Sequence, residues 1–191
     1  MSPANKNPAL PSPAVVAFYN ALPSVFWSVV HWVPLTLFCY QHLARPWLVG
    51  LVAVSLLAYA LPKAWFRYWQ LSTRPAAYQR AGVPLAGQLT QHGSVVNGLI
   101  RRQYPAYRHA RSRQSVAGLL GNTYHMERFH VTALLFFLFA SGYAVGHGYE
   151  RWAGVLTLLN IGYNLYPIWL QQYLRLRLAS VQPTRQAAKG T

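Results

Sequence analysis

The chain of 191 residues contains no aspartate and only two glutamates, Glu127 and Glu150, against seventeen lysines and arginines, for a formal net charge of +15. A soluble basic protein of the nucleic-acid-binding kind carries acids among its cations and lacks long apolar runs, so nucleic acid is not an expected partner. Cys39 is the single cysteine and lies in an apolar block, which leaves no disulfide framework and no cysteine-based metal site. Histidine does not fill the gap. Glu127, His130 and His125 do not share a helical face, and no second ligand pair at helical spacing exists, so no metal is expected. Met1 to Pro13 is polar and proline-rich with one lysine, and reads as a tail rather than a cleaved signal peptide.

What the chain has instead is hydrophobic residues (53%) gathered into blocks, with 15% aromatics. That patterning predicts an all-α integral membrane protein with about four spanning helices in two hairpins. The expected spans run from about Ser24 to Leu43, with Pro34 as a tolerated kink, from Trp47 to Trp65, from Phe129 to Gly148, and from Trp152 to about Gln172. Short connections at Arg45-Pro46 and Tyr149-Glu150-Arg151 suit tight hairpins. The organisation expected is a tail (1–13), a first hairpin (14–65), a basic interfacial segment (66–127), a second hairpin (128–178) and a C-terminal tail (179–191).

Charge sets the expected orientation. Ten of the seventeen basic residues fall between Lys63 and Arg128, four more lie from Arg175 onward, and each hairpin connection holds one arginine. By the positive-inside rule, both termini and the middle segment are cytoplasmic, in a bacterial-type inner membrane. Within the middle segment, Tyr78 to Leu85 reads as a turn, and Gly93 to Tyr107 as a short amphipathic helix carrying Arg101 and Arg102. Arg108, Arg111 and Arg113 continue the basic run. These arginines suit anionic lipid headgroups at about 1 kcal/mol each. They also suit a clamp on the phosphates of a donor such as acyl-coenzyme A, because guanidinium grips phosphate bidentately.

Two features carry chemistry. Glu127 and His130 are three residues apart, about 60° around a helix, so both lie on one face at the opening of an apolar stretch. A carboxylate beside an imidazole fixes its tautomer and raises its basicity, as a general base needs; the same pair also serves as a structural contact. In the last apolar stretch, Asn160, Asn164, Gln171 and Arg175 fall within about 60° of one another, with Tyr163 alongside. Such a stripe must face another helix or a cavity, as interhelical glue or as a binding surface. Pro167 removes a backbone donor and frees a carbonyl near Tyr163. His31, His42, His92, His109 and His147 are scattered and receive no role.

Glu127-x-x-His130 and the run Asn164-Leu165-Tyr166-Pro167-Ile168-Trp169-Leu170-Gln171-Gln172-Tyr173-Leu174-Arg175-Leu176-Arg177-Leu178 together resemble the glycosyl-4,4'-diaponeurosporenoate acyltransferase family of carotenoid biosynthesis. Gln172 stands where that family has Arg, and Leu174 where it has Asn. The resemblance implies transfer of a fatty acyl group to a sugar hydroxyl of a glycosylated carotenoid or similar lipid, with acyl-CoA or acyl carrier protein as donor and no bound cofactor. On that reading His130 takes the proton of the attacking hydroxyl and Glu127 orients it. Asn160, Asn164, Gln171 and Tyr173 would line the substrate, while Arg175 and Arg177 meet the anionic end of the donor beside Arg101, Arg102 and Arg108. A net charge of +15 also suits an acidic protein partner. The rival reading is a non-catalytic membrane subunit that scaffolds a larger, pigment-holding complex, with Glu127 and His130 as a structural pair.

Overall fold

A computed structural model describes residues 10–90, 93–107 and 116–187, and every regular element among them is helical. The first helix, α1 (Pro13–His42), begins where Ser12 accepts a hydrogen bond from the Val15 amide through its side chain and Pro13 supplies a preset first turn. It starts earlier than the hydrophobic block alone suggests and carries both Pro23 and Pro34 inside it.

The second stretch does not form one long helix. α2 (Arg45–Leu56) is followed by a single 3-10 turn, Leu57–Ala60, and then the chain extends at Leu61 and Pro62 before a second 3-10 turn, Lys63–Arg67. Pro62 lacks an amide proton and pushes Leu61 out of the helical region, to φ −63° and ψ 129°. The expected span to Trp65 therefore stops at Ala60.

The middle segment folds into three short helices. α3 (Pro75–Arg80) and α4 (Val83–Gln88) meet at Gly82, whose φ of 73° is the left-handed conformation that glycine adopts without steric cost. α5 (Ser94–Gln103) is the amphipathic helix the sequence predicts: it buries Val96 and Ile100 and leaves Arg101 and Arg102 exposed. It packs on the start of α1 through Val16 and Tyr19.

The remainder is one long antiparallel pair. α6 (Val116–Gly146) turns through His147–Tyr149, with Gly148 at φ 76°, into α7 (Glu150–Asn160), a π-helical turn at Ile161–Leu165 and α8 (Tyr166–Ala187). α6 begins well before Phe129, so Glu127 and His130 lie about three turns inside a helix rather than at its mouth. Leu35 and Phe38 of α1, Phe137, Ala140 and Ala144 of α6, and Ala153 and Leu156 of α7 form the largest core. α2 and its 3-10 turn pack on α6. The two consecutive helices α1 and α2 thus spend their faces on the α6–α7 pair, and the first hairpin is opened around the second.

Among the described residues, two helices are long and apolar enough to cross a membrane, Pro13–His42 and Leu120–Gly146. Of the other two expected spans, Arg45–Ala60 is a shorter apolar helix, and α7 has 11 residues before the π turn. α8 carries Arg175, Arg177 and Arg185, and its first half docks on α3 and α4 through Leu170, Tyr173 and Leu176.

The core placement makes a direct test. Phe137 is fully buried, whereas Leu138 beside it is 54% exposed. Phe137→Ala is expected to cost about 3–5 kcal/mol and to lower the thermal midpoint of the detergent-solubilised protein markedly, while Leu138→Ala leaves it close to wild type.

Candidate active site

The seam between α6 and α8 carries a succession of buried polar contacts. Glu127 is wholly buried. Its Oε1 accepts a hydrogen bond from Gln172 Nε2 at 2.8 Å, its Oε2 forms an ion pair with Arg175, and the Trp69 side chain faces the carboxylate as well. Gln172 cannot be turned the other way round. Its Oε1 accepts from the Leu71 backbone N–H at 3.2 Å, and an amide N–H can only donate. The same Oε1 takes the Tyr78 hydroxyl at 3.1 Å, and that hydroxyl also lies 3.0 Å from the Ser72 carbonyl. Arg175, besides pairing with Glu127, stacks its guanidinium 4.3 Å from the centre of the Tyr124 ring. One carboxylate therefore ties α6 to α8 and, through Gln172, to the segment leading into α3.

One turn further along α6 the chemistry changes. His130 is half-buried, and its Nδ1 lies 3.4 Å from Asn164 Oδ1, a long contact of the sort that tightens when a site is filled. Asn164, fully buried, gives its Nδ2 to Asn160 Oδ1 at 2.8 Å, and Asn160 gives its own Nδ2 to the Leu134 carbonyl at 3.1 Å. The direction of this relay is fixed at its far end. The Leu134 carbonyl only accepts, so Asn160 must present its NH₂ there; its oxygen then meets the NH₂ of Asn164, and the Asn164 oxygen meets His130. Neutral His130 must carry its proton on Nδ1, and Nε2 keeps the lone pair.

The backbone contributes as well. Pro167 has no amide to give to the Tyr163 carbonyl, and the helix answers with the π turn, in which the Tyr166 amide reaches back five residues to the Ile161 carbonyl. The Tyr163 carbonyl, freed from its usual partner, lies against the His130 ring. The Tyr163 ring sits edge-on to His130 at 5.7 Å between centroids.

The π turn also moves one expected residue. It inserts an extra residue into the turn, so the buried face runs Asn160, Asn164, Ile168, Gln172 at a spacing of four. Gln171, placed on the polar stripe by a regular 100° rotation, is half-buried beside it. Asn160, Asn164 and Arg175 do share the seam with Glu127 and His130. No hydrogen bond joins Glu127 to His130 among the described residues: Glu127 meets Gln172 and Arg175 of α8, and His130 meets Asn164 of the π turn. Tyr173 is buried with Tyr78 and Val83, and Arg177 is exposed with its guanidinium over the Tyr173 ring. Arg101 and Arg102 stand on α5, and Arg108 lies outside the described residues. Sequence reasoning misses Gln172, Tyr78, Trp69 and His31. The clue to Gln172 was Pro167, since a proline that frees a carbonyl also licenses the altered turn.

Among the described residues no three His, Cys or Glu side chains gather into a metal-binding group. An open groove of about 370 Å³ lined by Ala14, Val15, Phe18, Tyr19, Gln103 and Tyr104 lies between α1 and α5, and none of its walls is a residue of the seam.

Comparison with known proteins yields one family: residues 62–182 match the family model described as glycosyl-4,4'-diaponeurosporenoate acyltransferase. No curated protein and no solved structure matches the chain. The matched stretch contains the whole seam.

The ion pair predicts strong coupling. Glu127→Ala and Arg175→Ala are each expected to destabilise the protein by about 3–5 kcal/mol, because each leaves an uncompensated buried charge. The double variant should cost clearly less than the sum, as chemical denaturation in a fixed detergent would show. Additive losses would mean that the two charges do not depend on each other.

Proposed function

The chain belongs to the glycosyl-4,4'-diaponeurosporenoate acyltransferase family, and on that premise we propose that it is a membrane-embedded enzyme moving a fatty acyl group onto a sugar hydroxyl of a glycosylated carotenoid or similar lipid. The membrane part rests on exposed apolar surface. Only 17% of the most hydrophobic window of α1 and 33% of that in α6 is buried, so neither is the enclosed core helix of a soluble domain. Phe18, Phe26, Leu37, Val49, Leu57, Leu138 and Leu158 all face outward, a surface suited to hydrocarbon rather than water. In the proposed arrangement Arg45–Ala60 and the α7–α8 helix complete four crossings of a bacterial inner membrane. Both termini and the arginine-rich middle segment lie on the cytoplasmic side.

The observation that carries the chemistry is the relay from the Leu134 carbonyl through Asn160 and Asn164 to His130. It holds the imidazole in the tautomer whose Nε2 accepts a proton. In the proposed reaction the sugar hydroxyl gives its proton to Nε2 while its oxygen attacks the thioester carbonyl of acyl-CoA or acyl carrier protein. The C–O bond forms, the C–S bond breaks, and the departing thiolate takes the proton back from the imidazolium. As the imidazolium forms, the Asn164 oxygen at Nδ1 and the Tyr163 carbonyl beside the ring stabilise it, the role a carboxylate plays in a catalytic triad. Glu127 acts at one remove: it holds Arg175, whose Nη1 is buried without a hydrogen-bond partner and is offered to an oxygen of the donor. Arg101, Arg102 and Arg177 supply further positive charge for the donor's phosphates or for an acidic carrier protein.

His130→Ala is the decisive variant. Transfer is expected to fall by about 10²–10⁴-fold, with little change in thermal midpoint because the ring is half-buried and lightly bonded. Pigment profiles by chromatography and mass spectrometry, from cells lacking the gene and restored with either form, would read this. Only the wild type should convert the non-acylated glycoside to its ester; full conversion by His130→Ala would remove the imidazole from the mechanism.

A further inference from the structure

Outside the seam, one histidine is held in place with half of its hydrogen-bonding capacity unused. His31 of α1 is 3% exposed. Its Nδ1 lies 2.6 Å from the Trp27 carbonyl, which can only accept, so Nδ1 carries the proton and Nε2 the lone pair. The ring is clamped between Trp27, 5.6 Å away, and Tyr163, on which it stacks at 4.4 Å. Trp27 is itself anchored by its indole N–H on the Leu89 carbonyl at 3.3 Å. Among the described residues nothing donates to His31 Nε2. The ring is enclosed but Nε2 itself is not sealed off, so it is an acceptor free to take a donor that arrives from outside.

The space beside that acceptor is also shaped. Nε2 faces Gly162 in the π turn: a β-carbon built there would sit 3.8 Å from Nε2 and meet no other atom within 4 Å. Gly162 is exposed, so the gap opens outward. Next to Gly162 in the chain is Tyr163, whose hydroxyl accepts the Trp32 indole N–H at 3.3 Å and keeps its own proton to donate. Tyr163 therefore stands between two imidazoles, face-on to His31 and edge-on to His130. An acceptor nitrogen, a phenol donor and aromatic faces around a gap left by a missing side chain are the groups that recognise a polyhydroxylated ring.

We propose that His31, Gly162 and Tyr163 form the subsite for the sugar of the acceptor. A sugar hydroxyl seated at Gly162 donates to His31 Nε2, and the ring so fixed presents another hydroxyl to His130 Nε2 across Tyr163. His31 is a binding and positioning residue, since no bond is made or broken there. The assignment of the second hydroxyl rests on the acyltransferase reading of His130; the subsite itself does not.

The test uses the full-length protein in lipid nanodiscs, with octyl β-glucoside below its micellar concentration as the probe and saturation-transfer NMR of the sugar protons as the readout. Gly162→Ala fills the gap with one methyl group at ordinary contact distance and favours the helix, so it folds. His31→Phe keeps a stacking ring and removes the acceptor. Each is expected to weaken glucoside binding by about tenfold or more, the consequence of a lost or obstructed hydrogen bond to a desolvated group. In transfer assays the loss should fall on the KM for the acceptor, with the KM for the donor unmoved. His130→Ala should weaken glucoside binding less than either of these variants while losing transfer. Absence of sugar signals from the wild type, or equal binding by the wild type and both variants, overturns the subsite. If His130→Ala still transfers acyl groups but the binding pattern holds, the subsite stands and the role of His130 falls.

Discussion

A single negative charge, sealed away from solvent, organises this molecule. Carboxylates are expensive to bury, and the chain has only two of them, one of which is completely enclosed. That placement is tolerable only because Arg175, Gln172 and Trp69 converge on Glu127 from separate parts of the chain. The contact fixes how far α8 slides along α6. That register in turn brings Asn164 of the π turn to His130 one turn away and Asn160 of α7 to the Leu134 carbonyl two turns away. A shift of one residue would break the ion pair and the asparagine relay together.

The division of labour between the two polar layers follows from what their partners can do. Around Glu127 the contacts are an ion pair and a charge-assisted hydrogen bond, which make for rigidity, with Arg175 Nη1 left to spare. Around His130 the groups are neutral, directional and incompletely used. Anchoring strength and chemical availability are thus separated by a single helical turn, and the site is held by neighbours that take no part in any proton transfer. Family membership supplies the reaction class; the relay supplies a reason why this imidazole, among seven in the chain, is suited to it.

Much of this was legible from residue order. The amphipathic helix with Arg101 and Arg102, the turn into α7, the shared helical face of Glu127 and His130, and Asn160, Asn164 and Arg175 on the side that meets α6 follow from a 3.6-residue period, whereas the expected contact between Glu127 and His130 does not form and Gln171 leaves the stripe. What was not legible depended on departures from that period or on contacts between distant segments. Pro62 divides an apolar run that hydropathy averages treat as continuous. Gln172 replaces Gln171 on the buried face because of an irregular turn. The partners of Gln172 are the backbone of Leu71 and the hydroxyl of Tyr78, about a hundred positions earlier in the chain, and no local pattern announces them. His31 looked isolated in sequence for the same reason: its neighbour Tyr163 lies on another helix.

The π turn at Ile161–Leu165 has a consequence for how such a protein can change over generations. A π turn is equivalent to a one-residue insertion into an otherwise regular helix, with the surplus absorbed locally. The flanking anchors, Asn160 on the Leu134 carbonyl and Gln172 on Glu127, would therefore keep their places if that surplus were lost. The architecture does not require it. The irregular turn is what exposes the Tyr163 carbonyl and seats Asn164 and Gly162 where they are, so a deletion here would undo the arrangement around His130 and leave both anchors in place. One turn of one helix thus decides whether this seam is a site or only a packed interface.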